Sequence, residues 1–101
     1  MTETDGIIVH IGNAVAGAAP AGWQRAWVSA EVLPDHAKTE YDYVTADEIG
    51  SWFDPGMDAD SVVSLGLIDL LNMTIAAGKP AWRSVVLTVH ADGRFNISFK
   101  Y

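Results

Sequence analysis

The chain has 101 residues, a mass of 10.9 kDa and a net charge of −7, and half of its residues are apolar. Its length fits one domain, and its apolar content is too high for a disordered chain. The absence of cysteine excludes disulfides, thiolate zinc sites and cysteine nucleophiles, and the negative charge argues against a nucleic-acid binder. We expect one domain over residues 1–101, in the cytoplasm.

The N-terminal segment from Thr4 to Ala19 carries apolar residues at steps of three and four, which predicts a helix. Thr4 or Asp5 is suited to cap its start, and Pro20 and Gly22 should end it. The segment lacks the basic start of a signal peptide, and no stretch of the chain approaches the length of a membrane span. Neither export nor membrane insertion is therefore expected. The apolar positions of this helix are Ile7, Ile8, Ile11, Val15 and Ala18.

Two strands are predicted after this helix. In the segment from Trp23 to Val32, every second residue from Ala26 onward is Ala or Val, which is the period of a strand with one buried face. The residues from Leu33 to His36 interrupt this pattern. The segment from Glu40 to Thr45 is rich in β-forming residues and places Tyr41 and Tyr43 on one face. An antiparallel hairpin of these two strands is expected.

A short strand and a long helix are predicted next. The residues from Ile49 to Phe53 can form a third strand, and Asp58 or Asp60 is expected to cap the helix that follows. Gly78 should end this helix, with Pro80 shortly beyond. Apolar residues cover all of the helix except one narrow stripe, so it should lie against a sheet. The stripe consists of Ser61, Ser64, Asp69 and Asn72.

The last twenty residues predict a hairpin whose register can be deduced. A two-residue loop, Asp92-Gly93, would place the apolar residues of one strand opposite the polar residues of the other. A three-residue loop, Ala91-Asp92-Gly93, with Gly93 in a left-handed conformation, makes one face wholly apolar. The expected pairs are Val89 with Phe95, Leu87 with Ile97, and Val85 with Phe99.

Together these elements predict an α+β fold, in which an antiparallel sheet of four or five strands is packed by two helices. The expected order is helix, two strands, an optional third strand, helix and two strands. The apolar face of the C-terminal hairpin is expected to pack against the helix that contains Leu67, Leu70 and Leu71.

No catalytic, cofactor or metal-binding motif stands out in the sequence. His10, His36 and His90 are dispersed over a helix, a loop and a strand, without the spacing of metal ligands. The glycines from Gly12 to Gly17 lack the lysine and hydroxyl residue of a phosphate loop, and no serine lies in a nucleophile elbow. We therefore expect no metal, no cofactor and no enzymatic turnover.

The acidic residues are concentrated in the middle of the chain, where nine lie between Glu31 and Asp60 against a single base, Lys38. Large aromatic residues are interleaved with them, which combines interface anchors with a field that steers a basic partner. Two other interpretations stay open. The acids can be a solvated rim, and the aromatics can be core residues beneath loops. The aromatics are Tyr41, Tyr43, Trp52 and Phe53.

The C-terminal segment resembles a known family. Trp82, the alternating strand from Val85 to Val89, the run from Asp92 to Phe95, and Tyr101 are similar to the signature of the YezG-like immunity proteins of bacterial polymorphic toxin systems. The preceding Ile- and Leu-rich helix that ends at Gly78 is also similar to that family. The chain lacks the longer insertions of many members, so the resemblance implies no particular class of toxin.

The resemblance implies a cytoplasmic antitoxin that neutralises a cognate toxin, often a nuclease, by stoichiometric binding and occlusion. An acidic face complements the basic surface of such a toxin, so the expected partner is a basic protein and neither nucleic acid nor a membrane. A small enzyme or ligand-binding domain, or an accessory oligomeric subunit, are the alternatives, and homo-oligomerisation is not determined by the sequence. The residues expected to bind the partner are Asp42, Asp47, Glu48 and Asp54, which steer, and Tyr43 and Trp52, which anchor.

Overall fold

A computed structural model describes residues 3–101 and contains two helices and one antiparallel sheet. The α+β class and the order of the elements agree with the prediction, and the optional third strand is formed. The elements are α1 (Glu3–Ala18), β1 (Trp23–Leu33), β2 (His36–Thr45), β3 (Gly50–Trp52), α2 (Met57–Ala76), β4 (Ser84–His90) and β5 (Phe95–Lys100).

The sheet has the strand order β3-β2-β1-β4-β5, with every neighbouring pair antiparallel. Strand β1 lies at its centre because it pairs with β2 on one side and with β4 on the other. One face of the sheet is covered by the two helices and is called the inner face; the other, the outer face, carries no helix of residues 3–101. The buried residues of β1 on the inner face are Ala26, Val28, Ala30 and Val32.

The hairpin of β1 and β2 is confirmed, but its second strand begins earlier than predicted. Only Pro34 and Asp35 form the turn, since Leu33 already pairs with His36. The predicted interruption from Leu33 to His36 is therefore confined to its two middle residues, and the predicted start of the second strand at Glu40 is wrong because β2 begins at His36. Pro34 lacks an N–H and is confined to the turn itself, so it does not disturb the strand that follows. Tyr41 and Tyr43 share the inner face, as expected.

The C-terminal hairpin has the predicted register. Val89 pairs with Phe95 and Leu87 with Ile97, and the last predicted pair, Val85 with Phe99, is also present. Gly93 has a φ of 93°, a conformation that glycine adopts at little cost. The three-residue loop is therefore confirmed.

The helices divide the inner face between them. Helix α1 lies over β1 and β4, whereas α2 lies over β1 and β2. We expected the C-terminal hairpin to pack against the helix that contains Leu67 and Leu70, which is α2. This expectation is wrong, because α1 covers β4. The reason is topological: α2 follows β3 at the β2 edge of the sheet, and α1 fills the other half. The core residues of α2 are Val63, Leu67, Leu70 and Leu71.

Two glycines permit close contacts of the helices. A Cβ on Gly66 of α2 would lie 2.7 Å from Cγ1 of Ile11 in α1. A Cβ on Gly12 of α1 would lie 2.5 Å from Cε2 of Phe95 in β5. Both distances are shorter than any ordinary carbon contact, so a side chain at either position would displace its neighbour.

The ends of α2 show one wrong and one correct prediction. Gly56 occupies the N-cap position and no side chain caps the helix, so Asp58 and Asp60 lie in its first turn. At the C-terminal end, the N–H of Gly78 bonds to the carbonyl of Ile75, and the N–H of Lys79 to that of Thr74. This is the Schellman pattern, and with a φ of 75° Gly78 ends the helix as predicted.

Helix α1 also begins one residue before its predicted cap. It starts at Glu3, so Thr4 and Asp5 lie within the first turn of the helix. The last helical residue is Ala18, one residue before the predicted end.

Helix α2 has the length of a membrane span, contrary to the expectation that no stretch approaches it. Its 20 residues have a mean hydropathy of 1.4, which suffices for a span by length and composition. The core helix of a water-soluble protein passes the same test, and one side of α2 packs against the sheet in this fold.

Candidate binding site

The predicted partner-binding residues lie on and around the β3 edge of the sheet. Asp42 of β2 pairs with Trp52 of β3, and both side chains point to the outer face. The Trp52 side chain is 74% exposed, whereas its neighbour Phe53 is 7% exposed and belongs to the core. The register of β3 against β2 thus directs Trp52 to solvent and Phe53 to the core.

Tyr43 lies on the opposite face from Trp52. It is half-buried on the inner face, where its ring meets the Phe53 ring edge to face with 5.8 Å between centroids. The ring of Tyr41 also contacts Phe53, with 5.6 Å between centroids. The structure therefore does not bring Tyr43 together with Asp42 and Trp52 on one surface.

The remaining predicted acids are in turns. Asp47 and Glu48 are exposed in the turn between β2 and β3, and Glu48 has a φ of 62°. Asp54 is exposed immediately after β3, where its Oδ1 accepts a hydrogen bond of 2.8 Å from the N–H of Gly56. That bond fixes the turn which carries the chain from the sheet edge into α2. Asp54 and Trp52 border the same cavity.

A groove of about 840 Å³ runs between the edge of β2 and the loop that leads into α2. Trp52 and Met57 form exposed apolar walls, and Met57 is 85% exposed. Within the described residues, every charged side chain of the groove is acidic. These acids are Glu40, Asp42, Asp54 and Asp60.

Asp60 connects the groove with the core through two hydrogen bonds. Its Oδ1 accepts hydrogen bonds from the hydroxyls of Thr39, at 2.6 Å, and Tyr41, at 2.8 Å. Burial raises the pKa of the Tyr41 hydroxyl well above its ordinary value of 10.0, and the hydrogen bond to Asp60 and its charge act in the same direction. Tyr41 is therefore a permanent donor at neutral pH, which holds the first turn of α2 against β2.

Three features of this site were not predicted from the sequence: Thr39, Met57 and the role of Asp60. Thr39 lies two residues before Tyr41 and thus on the same face, but the strand was predicted to begin only at Glu40. Extending the alternation of polar and apolar residues back to Ala37 would have found it. No local signal in the sequence connects Asp60 with β2, since the contact joins residues 21 positions apart.

The three histidines lie on three different elements of the fold. His10 is exposed on α1, His36 is the first residue of β2, and His90 is the last residue of β4. The ring Nδ1 of His36 lies 2.8 Å from the carboxylate of Asp35. Among residues 3–101, no three His, Asp or Glu side chains are grouped so as to hold a metal ion.

No family profile matches the chain, and no curated protein is significantly similar to it. The resemblance to the YezG-like immunity proteins therefore rests on the residues quoted from the sequence.

Proposed function

We propose that the protein is an immunity protein, which binds a cognate bacterial toxin and neutralises it by stoichiometric occlusion. In this proposal the toxin is basic, and the β3 edge of the sheet with its groove is the contact surface. The observation that carries the proposal is the exposed Trp52 beside Asp42 on the outer face, above a groove whose charged residues are all acidic. The chain itself has no turnover.

The physical roles of the aromatic and the acids differ. Exposed acids steer a basic partner and act mainly on the association rate, with a range of about 8 Å at physiological salt. A large aromatic residue that becomes buried on binding acts mainly on the dissociation rate. A nuclease presents a basic, phosphate-binding surface, which such an acidic edge would complement.

The proposal is tested with the product of a toxin gene adjacent to the gene for this chain. We expect inhibition of the toxin to saturate at one molecule of this protein per toxin. Trp52→Ala should accelerate dissociation by about 30-fold, which corresponds to roughly 2 kcal/mol. Tyr101→Ala is the matched control because Tyr101 is also 74% exposed but follows β5, at the opposite edge of the sheet.

The acids are tested by reversing Asp47, Glu48 and Asp54 together to lysine. We expect slower association and a weaker dependence of the association rate on salt, with a smaller change in dissociation. Kinetics measured at two salt concentrations distinguish the two effects. Unchanged kinetics in this variant would place the contact surface elsewhere and leave the acids as a solubility feature. Inhibition by catalytic amounts of the protein would contradict occlusion itself.

A further inference from the structure

The edge of β2 is only half covered by β3. Strand β2 spans His36–Thr45, whereas β3 pairs only with the residues from Asp42 to Val44, and the N–H of Phe53 adds one bond to the carbonyl of Tyr41. In an antiparallel sheet, the backbone bonding groups of every second residue point to the same side. The groups of Ala37 and Thr39 therefore point to the same edge as those of Tyr41, beyond the end of β3. No strand of the described residues lies there.

The chain leaves this edge in a way that keeps it accessible. After Phe53, the bond from Gly56 to Asp54 and the residue Pro55 direct the chain away from the sheet and into α2. The groove of about 840 Å³ described above lies at this point, and Thr39 and Tyr41 form part of its wall. A strand on β2, in line with β3, would occupy this groove.

One side of α2 overhangs the open edge. Gly66 faces Ile11 of α1, so the opposite side of α2 faces away from α1 and toward the β2 edge of the sheet. That side is mostly apolar, with Met57 85% and Ile75 44% exposed. Its residues, spaced by seven, four and seven positions, are Met57, Ser64, Ile68 and Ile75.

The two sides of the open edge thus differ in chemistry. A strand added beside Thr39 would place alternate side chains under the apolar side of α2, where they lose contact with water. The other side chains would lie on the outer face, where Lys38 and Glu40 belong to the open part of β2 and Asp42 and Asp54 lie toward β3. Three acids there stand against one base. The complementary segment has apolar residues alternating with Lys or Arg.

We propose that the groove receives an extended segment of the partner as an additional antiparallel strand on β2, with alternating apolar and basic side chains. The proposal deepens the function proposed above and rests on it for the identity of the partner, whereas strand addition itself is testable without the toxin. In such a pair, a partner residue directly opposite Thr39 exchanges both backbone bonds with it and points to the same inner face. The apolar residues of the segment therefore carry the bonding N–H groups.

The first test uses a synthetic six-residue peptide of alternating lysine and valine. We expect binding that shifts the amide resonances of Ala37 and Thr39 in an isotope-labelled sample and slows their hydrogen exchange. Methylation of the valine nitrogens should weaken binding more than about tenfold, because it removes the bonds to β2. Methylation of the lysine nitrogens, which point away from β2, is the matched control and should change binding little. A peptide with glutamate in place of lysine should not bind.

Three results would overturn strand addition. They are no binding at millimolar peptide, equal binding of the two methylated peptides, and amide shifts centred on β5, the other edge of the sheet.

The second test uses Ala37→Pro, which removes an N–H that points to the open edge and leaves the bonds to β1 intact. Ala37→Ser retains this N–H and is its control. We expect Ala37→Pro to weaken both the peptide and the toxin more than about tenfold, and circular dichroism verifies that it is folded. If the variant does not fold, the methylated peptides still decide the question.

The two proposals fail in different ways. A peptide that binds as expected to a protein that does not inhibit the adjacent toxin would overturn the immunity function alone. Toxin binding that is unchanged by Ala37→Pro, but weakened when Asp47, Glu48 and Asp54 are reversed to lysine, would overturn strand addition alone.

Discussion

Glu48 holds a backbone conformation that costs a non-glycine residue about 1–2 kcal/mol. The turn between β2 and β3 and the loop of the C-terminal hairpin share one hydrogen-bond pattern. Thr45 bonds to Ile49 and Glu48 to Thr45 in the first, as His90 bonds to Arg94 and Gly93 to His90 in the second. The same position is thus Gly93, with a φ of 93°, in one turn and Glu48, with a φ of 62°, in the other. Strain of this kind is common at functional sites.

Exchanging these residues tests the cost of the conformation. We expect Glu48→Gly to raise the free energy of unfolding by roughly 0.5 kcal/mol, because relief of strain exceeds the entropy that glycine gains in the unfolded chain. Gly93→Glu should lower it by roughly 1–2 kcal/mol. Urea denaturation of both variants measures the changes. A loss of stability in Glu48→Gly would mean that the Glu48 side chain contributes to the fold despite its exposure.

The hydroxyl of Tyr41 gives the stability of the protein a dependence on alkaline pH. Its pKa is raised in the folded state above the ordinary value of 10.0, so its contribution is fully present below pH 10. As the pH rises further, the unfolded state releases the proton and the folded state retains it, and stability falls. We expect a loss on the order of 1 kcal/mol per pH unit above pH 10, measured by urea denaturation.

Tyr41→Phe is the control for this effect. The variant should be less stable at pH 8, because Asp60 loses one of its two donors, and its stability should decline less above pH 10. The other tyrosines are common to both proteins, so the difference between them isolates Tyr41. Parallel declines in the two proteins would contradict the raised pKa.

At the scale of the elements, glycines determine how closely the helices approach their neighbours. We expect Gly66→Ala to lower the free energy of unfolding by about 1–3 kcal/mol, since the new methyl group would displace the fully buried Ile11. Gly17→Ala is the control, because a Cβ at Gly17 in α1 meets no atom within 4 Å. In that variant the free energy of unfolding should rise by up to about 1 kcal/mol, because alanine has a higher helix propensity than glycine. Thermal unfolding of both measures the difference, and a stable Gly66→Ala would show that Ile11 can move.

The elements that depend on local pattern could be predicted from the sequence, and those set by distant contacts could not. The register of the C-terminal hairpin follows from segregation of its apolar residues, and Gly78 ends α2 through local backbone geometry. The start of α2 was missed because the carboxylate of Asp60 binds β2 rather than its own helix. The exposure of Trp52 was undecided for a related reason. It depends on pairing with Asp42, which alternation within so short a strand does not reveal.

At the scale of the molecule, the charge is distributed unevenly along the sheet. The acids of the middle segment are carried largely by β2, the turns around β3 and the start of α2, whereas Lys79, Arg83, Arg94 and Lys100 follow α2. Repulsion within the acidic half destabilises the folded chain, because folding brings these acids close together.

Salt should therefore stabilise the protein. Raising sodium chloride from about 0.01 M to about 1 M shortens the Debye length from about 30 Å to about 3 Å, and we expect the Tm to rise by several degrees. Reversal of Asp47, Glu48 and Asp54 to lysine shifts the net charge by six, from −7 to about −1. This variant should gain less from salt. An equal rise in both proteins would assign the effect to general salting-out.

The contact of Gly12 with Phe95 has a consequence for the order of events during synthesis. Helix α1 leaves the ribosome long before β4, which it covers, and β5, which carries Phe95, have been made. At about 5–20 residues per second, the interval amounts to several seconds. During this time the apolar side of α1 with Ile11 and Val15, which the finished fold buries completely, lacks its contact with β4. Apolar surface that is exposed in this way makes a nascent chain prone to aggregation, and we expect the protein to acquire its native structure only after β5 has emerged.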